Sequence, residues 1–115
     1  YEPKRSPCWG CPANHSTMMV IPDGPYKGTM VEEPEYEQMA AWGPVIDNKD
    51  ATSAAMLSGL NDRLGFENNE AGWLIGWVME CYEKGYLTKD DTGGLKVNWG
   101  NVEAVKDSET SLLKG

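Results

Sequence analysis

Hydrophobic and polar positions divide the chain near residue 34. Before it, short apolar runs alternate with most of the prolines and several glycines, and no helical period is present. The runs Met18-Met19-Val20-Ile21 and Thr29-Met30-Val31 flank the turn residues Pro22-Asp23-Gly24-Pro25 and Lys27-Gly28. That arrangement predicts a small hairpin. From Pro34 onward the pattern is helical. Pro34 suits a first helical position, and Gly43-Pro44 ends the helix after Trp42. Asp50 caps a second helix over 51–64, with Ala55, Met56, Leu60 and Leu64 along one side and Gly65 as a left-handed stop. Asn68 or Asn69 caps a third helix over 70–84, where Trp73, Leu74, Trp77, Val78, Cys81 and Tyr82 recur at spacings of three and four. Gly85 ends it.

A polar turn follows over 87–94, and Leu95-Lys96-Val97 reads as a short extended piece. Asn101 then caps a last helix with apolar Val102, Val105 and Leu112. The predicted fold class is all-α: an irregular helical body over 34–115 behind a loop-rich, metal- or cluster-binding segment over 1–33. The two form one domain, since 115 residues hold no more than one. The chain begins at Tyr1 and its last helix runs to Lys114-Gly115 without a clear stop. It reads as a piece of a larger multidomain protein.

Charge narrows the function classes. The net charge is −8, from 18 acidic and 10 basic residues, which argues against nucleic acid as a partner. No apolar run approaches the roughly 20 residues that cross a bilayer, and no signal peptide is evident. Three cysteines, an odd number, argue against a disulfide framework and for a reducing, cytoplasmic setting.

Two of those cysteines stand in Cys8-Trp9-Gly10-Cys11-Pro12-Ala13-Asn14-His15. Thiolates two residues apart can face one inorganic centre, and a proline after the second stiffens the loop exit. An iron–sulfur loop, a structural zinc site and a disulfide are all open at this spacing. His15 either ligates the metal, since imidazole suits both iron and zinc, or hydrogen-bonds within a turn. Cys81, mid-helix on an apolar face, reads as a core residue. The run Glu32-Glu33-Pro34-Glu35-Tyr36-Glu37 places four carboxylates at a helix start, where anions are favoured. One of them turned inward would have a functional role. Asp62-Arg63-Leu64-Gly65-Phe66-Glu67 forms a tight corner whose carboxylates can take bidentate N–H donors from a heterocycle. Its plain reading is a capped corner between helices.

Taken in order, CxxCPxxx, a turn, PEYE, a DxxGxE corner, MECYEKGYLT and LKVNWGN resemble the tungsten-containing aldehyde ferredoxin oxidoreductase family across nearly the whole chain. The resemblance implies that Cys8 and Cys11 are ligands of a [4Fe–4S] cluster and that His15 stands where the family has a third cysteine. It places Glu35, and with it Glu37, near the tungsten as catalytic carboxylates, in surroundings of low dielectric. Asp62, Gly65 and Glu67 match the motif that contacts a tungsten-bound pterin, with Glu67 in place of an aspartate. The implied reaction is oxygen-sensitive oxidation of an aldehyde to a carboxylic acid at a tungsten bis-pterin, with electrons leaving through the cluster to ferredoxin or an electron-transfer subunit. The remaining domains of the same chain would supply the fourth cluster ligand, and a second copy is a further candidate partner. The competing reading is non-enzymatic: a zinc-stapled helical interaction module whose Trp9, Trp42, Trp73, Trp77 and Trp99 build a core or a partner surface.

Overall fold

A computed structural model describes residues 4–13 and 15–112. Asn14 and the ends of the chain, with Tyr1, Lys114 and Gly115, lie outside the described residues. So does the side chain of Leu112.

Strands β1 (Lys4–Arg5), β2 (Thr17–Val20) and β3 (Met30–Glu32) form an antiparallel sheet in the order β1-β2-β3. The β2–β3 register pairs Met18 with Glu32 and Met19 with Val31. Below it, Ile21 N donates to Thr29 O (3.0 Å) and Gly28 N to Ile21 O (2.9 Å), closing the predicted hairpin. Gly24 and Gly28 both take positive φ in that turn, which glycine adopts without steric cost. The all-α expectation is therefore too narrow: among the described residues, four helices carry a small three-stranded sheet. Strand β1 escaped notice because two residues give no periodicity.

The helices that follow are α1 (Tyr36–Trp42), α2 (Ala51–Leu64), α3 (Asn68–Glu83) and α4 (Val102–Leu112), with a 3₁₀ turn over Pro44–Ile46 after α1. Asp50 caps α2 as predicted, accepting from Thr52 N and Ser53 N, and Gly65 ends it at φ 78°. Asn101 caps α4 by accepting from Ala104 N (3.1 Å). The cap of α3 differs from expectation. Glu67 accepts from Glu70 N (2.6 Å), which frees Asn68 to point inward. Residues 95–97 form no strand, although Val97 is buried.

Helix α2 lies at the centre, against α1, α3, α4 and β3. Its residues Ser53 through Gly59 are all buried, so burial exceeds the single predicted side. Gly59 is where β3 crosses, and a β-carbon there would fall 2.3 Å from Val31 Cγ1. The larger correction concerns α3. Its inward face consists of Asn68, Gly72, Gly76 and Met79, with Ala71, Ile75, Val78 and Tyr82 packed beside them. Trp73, Leu74 and Trp77, expected to bury, are 66, 57 and 61 % exposed. Cys81 is half-buried. The reason is steric. Glycine lets α3 approach α1 until a β-carbon at Gly72 would lie 2.4 Å from Ala41 Cβ, so the bulky stripe is left facing outward. Among the described residues no helix is long and apolar enough to cross a membrane.

Two consequences can be measured. Alanine is the better helix former by about 1 kcal/mol, yet Gly72→Ala should lower stability by about 2 kcal/mol in urea denaturation, because overpacking displaces α1. The second concerns Glu109 of α4, which is 3 % exposed. Burial raises its carboxyl from 4.5 to about 8. The unfolded chain ionises this group first, so the protein loses stability as pH rises through that window. Glu109→Gln removes the titration. Its urea midpoint should gain on that of the wild type steadily between about pH 5 and pH 8, and a gap that stays constant with pH would contradict the assignment.

Candidate functional site

The cysteine loop is a neck-closed excursion between β1 and β2. Arg5 pairs with Thr17, and Ser6 N donates to Ser16 O (2.9 Å). These bonds tie the cysteine loop to one end of the sheet. Within the loop Cys11 N donates to Cys8 O (3.1 Å), and Gly10, third in that turn, has φ 73°. A positive φ at the third position is what a type II turn requires, and glycine meets it. Both thiols are free, Cys8 exposed and Cys11 half-buried. Cys8 Sγ lies 3.7 Å from Ser16 Oγ, and Trp9 projects fully into solvent.

His15 sits at the foot of the loop, where its Nε2 is 3.2 Å from Glu35 Oε1. Glu35 precedes α1, with its backbone N–H held by Gln38 Oε1 (2.7 Å). The pair is open to solvent, so the described residues do not supply the low-dielectric surroundings expected around Glu35. Glu37 is exposed on the first turn of α1. A shallow polar hollow is lined by His15, Ser16, Glu33, Glu35 and Tyr36.

The DxxGxE corner joins α2 to α3. Gly65 N donates to Asp62 O (3.1 Å) and Phe66 N to Asn61 O (3.2 Å), so the left-handed glycine turns the chain while satisfying the last carbonyls of α2. Asp62 Oδ1 accepts from Asn68 Nδ2 (2.6 Å), and Asn68 Oδ1 in turn accepts from the buried indole Nε1 of Trp42 (2.7 Å). Close packing raises the Asp62 pKa, and the nearby Glu32 carboxylate adds to the rise. The bond from Asn68 and the charge of Arg63 act against it. Glu32 ends β3, and the Gly59–Val31 contact is what brings that strand onto α2 near Asp62.

One end of the sheet thus gathers the cysteine loop, His15, Glu33 and Glu35, and it sets Glu32 beside Asp62. Among the described residues, no three His, Cys, Asp or Glu side chains converge closely enough to hold a metal ion. Cys8 and Cys11 share a turn, and His15 is drawn to Glu35. Asp62 and Glu67 each have one carboxylate oxygen in an internal bond. Sequence reasoning missed Trp42 and Asn68 as the residues that fix Asp62. A buried Trp followed by an Asn at a helix start carries no spacing signal. Asn68→Ala should cost about 2 kcal/mol of stability. It should also raise the Asp62 pKa further, because the amide that favours its carboxylate is gone. Carbon-detected NMR titration of the Asp62 carboxyl checks this, and an unmoved titration would disprove the relay.

Comparison with known proteins agrees with these motifs. Residues 1–110 match the family model described as aldehyde ferredoxin oxidoreductase, domains 2 and 3. The chain is 35 % identical over 96 residues to an aliphatic sulfonate oxidoreductase, WOR-like subunit, of Pyrococcus furiosus, covering 84 % of this chain and 15 % of that protein. It is 31 % identical over 106 residues to the tungsten-containing aldehyde ferredoxin oxidoreductase of Thermococcus kodakarensis, covering 91 % of this chain and 17 % of that protein. The protein of the same name from Pyrococcus furiosus is 29 % identical over 107 residues, with the same coverage of each chain. The chain therefore spans about a sixth of the length of these relatives, and it belongs to the aldehyde ferredoxin oxidoreductase family.

Proposed function

We propose that this chain is the part of a cytoplasmic tungstopterin oxidoreductase that carries the cluster-binding loop and the first pterin-binding corner. The observation supporting this reading is the turn at Cys8–Cys11, where two free thiols stand on one loop, in a chain that also carries the DxxGxE corner. The donor chemistry fits the groups the family implies. Two thiolates suit iron, and the carboxylates of Asp62 and Glu67 suit the N–H edge of a pterin.

When bound, a tungsten bis-pterin would supply the two-electron oxidation of an aldehyde and water to a carboxylic acid, the two protons going to nearby bases and the electrons, by way of a [4Fe–4S] cluster, to ferredoxin or an electron-transfer subunit. The chain's own residues hold, orient and move protons. Cys8 and Cys11 would hold the cluster as thiolates. His15 would join them through Nδ1, because Nε2 faces Glu35; a carboxylate on the far ring nitrogen is the common way to orient a histidine ligand. Glu35 would accept a proton released near the tungsten, with His15 fixing the carboxylate's position, and Glu37 on the next turn offers a second acceptor. Asp62 and Glu67 would orient the pterin through their outward oxygens, and Gly65 provides the turn that sets them apart. The remaining domains of a longer chain would complete both sites.

The test is an oxygen-free preparation of the protein in its full-length context, assayed for iron, tungsten and aldehyde-dependent reduction of an acceptor dye. Glu35→Gln should lower turnover about 100-fold with both metals retained, whereas Cys8→Ser and His15→Ala should each lose iron. A colourless protein with one zinc per chain, inert towards aldehydes, would overturn the reading.

A further inference from the structure

A second pocket lies between the α2–α3 corner and α4, with a volume of about 350 Å³, within the range of small-molecule sites. Its walls are apolar, formed by Phe66, Leu74 and Ile75, and its polar lining includes Asn61 and Glu109. Both polar residues are buried, Asn61 completely and Glu109 to within 3 %. Asn61 donates its amide N–H to Phe66 O (3.0 Å), which fixes the orientation of the side chain. Its Oδ1 and both carboxyl oxygens of Glu109 find no hydrogen-bond partner among the described residues. Leaving these three oxygens without partners is costly. Native proteins meet such groups with a ligand, an ion or ordered water.

The chemistry of that ligand follows from what the pocket contains. A bound cation would displace the Glu109 proton, and every unsatisfied atom is then an acceptor. Glu67 and Glu70 add carboxylates to the lining, and no Lys, Arg or His lines it among the described residues. We propose that this pocket binds a planar organic cation of the amidine or guanidine class, its N–H fork on Glu109 and Asn61 Oδ1 and its apolar body against Phe66, Leu74 and Ile75. A planar fork matches a carboxylate through two parallel bonds. The apolar walls desolvate the pair, which strengthens it. The pocket shares Glu67 of its rim with the candidate pterin corner. The atoms that would recognise the cation, on Glu109 and Asn61, have no part in that site, so the proposal does not rest on the tungstopterin reading.

The test titrates the protein with benzamidinium, with N-acetylarginine amide and with neutral benzamide, followed by calorimetry and amide NMR. The expected result is saturable binding of a cation, with shifts centred on Phe66, Leu74 and Ile75, and benzamide weaker by about tenfold or more. Glu109→Gln should weaken cation binding to a similar degree, while Glu70→Gln changes it only a few-fold. Tighter binding of the aromatic amidine assigns the site to a free small molecule, and tighter binding of the arginine derivative assigns it to a protein side chain. Both outcomes uphold the cation chemistry. Benzamide binding as tightly as benzamidinium, full affinity in Glu109→Gln, or no saturable binding to the wild type would each overturn it.

Discussion

The indole of Trp42 is completely buried, and a buried N–H must find an acceptor inside. Asn68 provides it, and its amide nitrogen then reaches Asp62. Three helices meet in this one relay, since Trp42 closes α1, Asn68 opens α3 and Asp62 lies in the last turn of α2. Asn48 adds a bond to the Trp42 carbonyl (2.9 Å) from the segment beyond the 3₁₀ turn. The consequence is functional as well as structural. The first carboxylate of the candidate pterin corner is oriented by the hydrophobic core, so the geometry of the corner depends on how the helices pack.

Close packing makes that relay short enough to work. Gly72 rests on Ala41, Gly76 on Val45 and Gly59 on Val31. At each crossing the absent side chain lets two backbones come together. The same glycines determine what stays outside. With α3 resting on its small-residue face, Trp73, Leu74 and Trp77 form an outward apolar stripe on the α3 surface. On the other side, the hairpin turn is held to α4 by a hydrogen bond from the Tyr26 hydroxyl to Glu103, with Lys106 over the Tyr26 ring at 5.7 Å. Burial, then the bond to Glu103, pushes the Tyr26 pKa up to about 12, so this clasp keeps its proton throughout the physiological range.

The sheet is small but decides the candidate site. Its antiparallel pairing ties the cysteine loop to the same end that carries Glu32, Glu33 and the start of α1. A loop without that neck would leave Cys8 and His15 free to wander relative to Glu35. The contact between His15 and Glu35 joins residues 20 apart in the chain. It is available because β3 leads directly into α1.

Local signals determined much of this protein by themselves. The helix starts at Asp50 and Asn101, the stops at Gly43 and Gly65, the hairpin across residues 21–29, and the ordered motifs from Cys8 to Asn101 are all short-range chemistry. Each depends on a side chain and its immediate backbone. Helix faces were not decided there. Periodicity weighs large apolar residues and ignores glycine, so it assigned the core face of α3 to tryptophans that the fold leaves outside. Likewise, Asn68 reads as a helix cap in the sequence although packing turns it inward, and nothing in the sequence sets Glu109 apart. Only the tertiary structure could bury that carboxyl beside Asn61, because burial is a property of the neighbours and not of the residue.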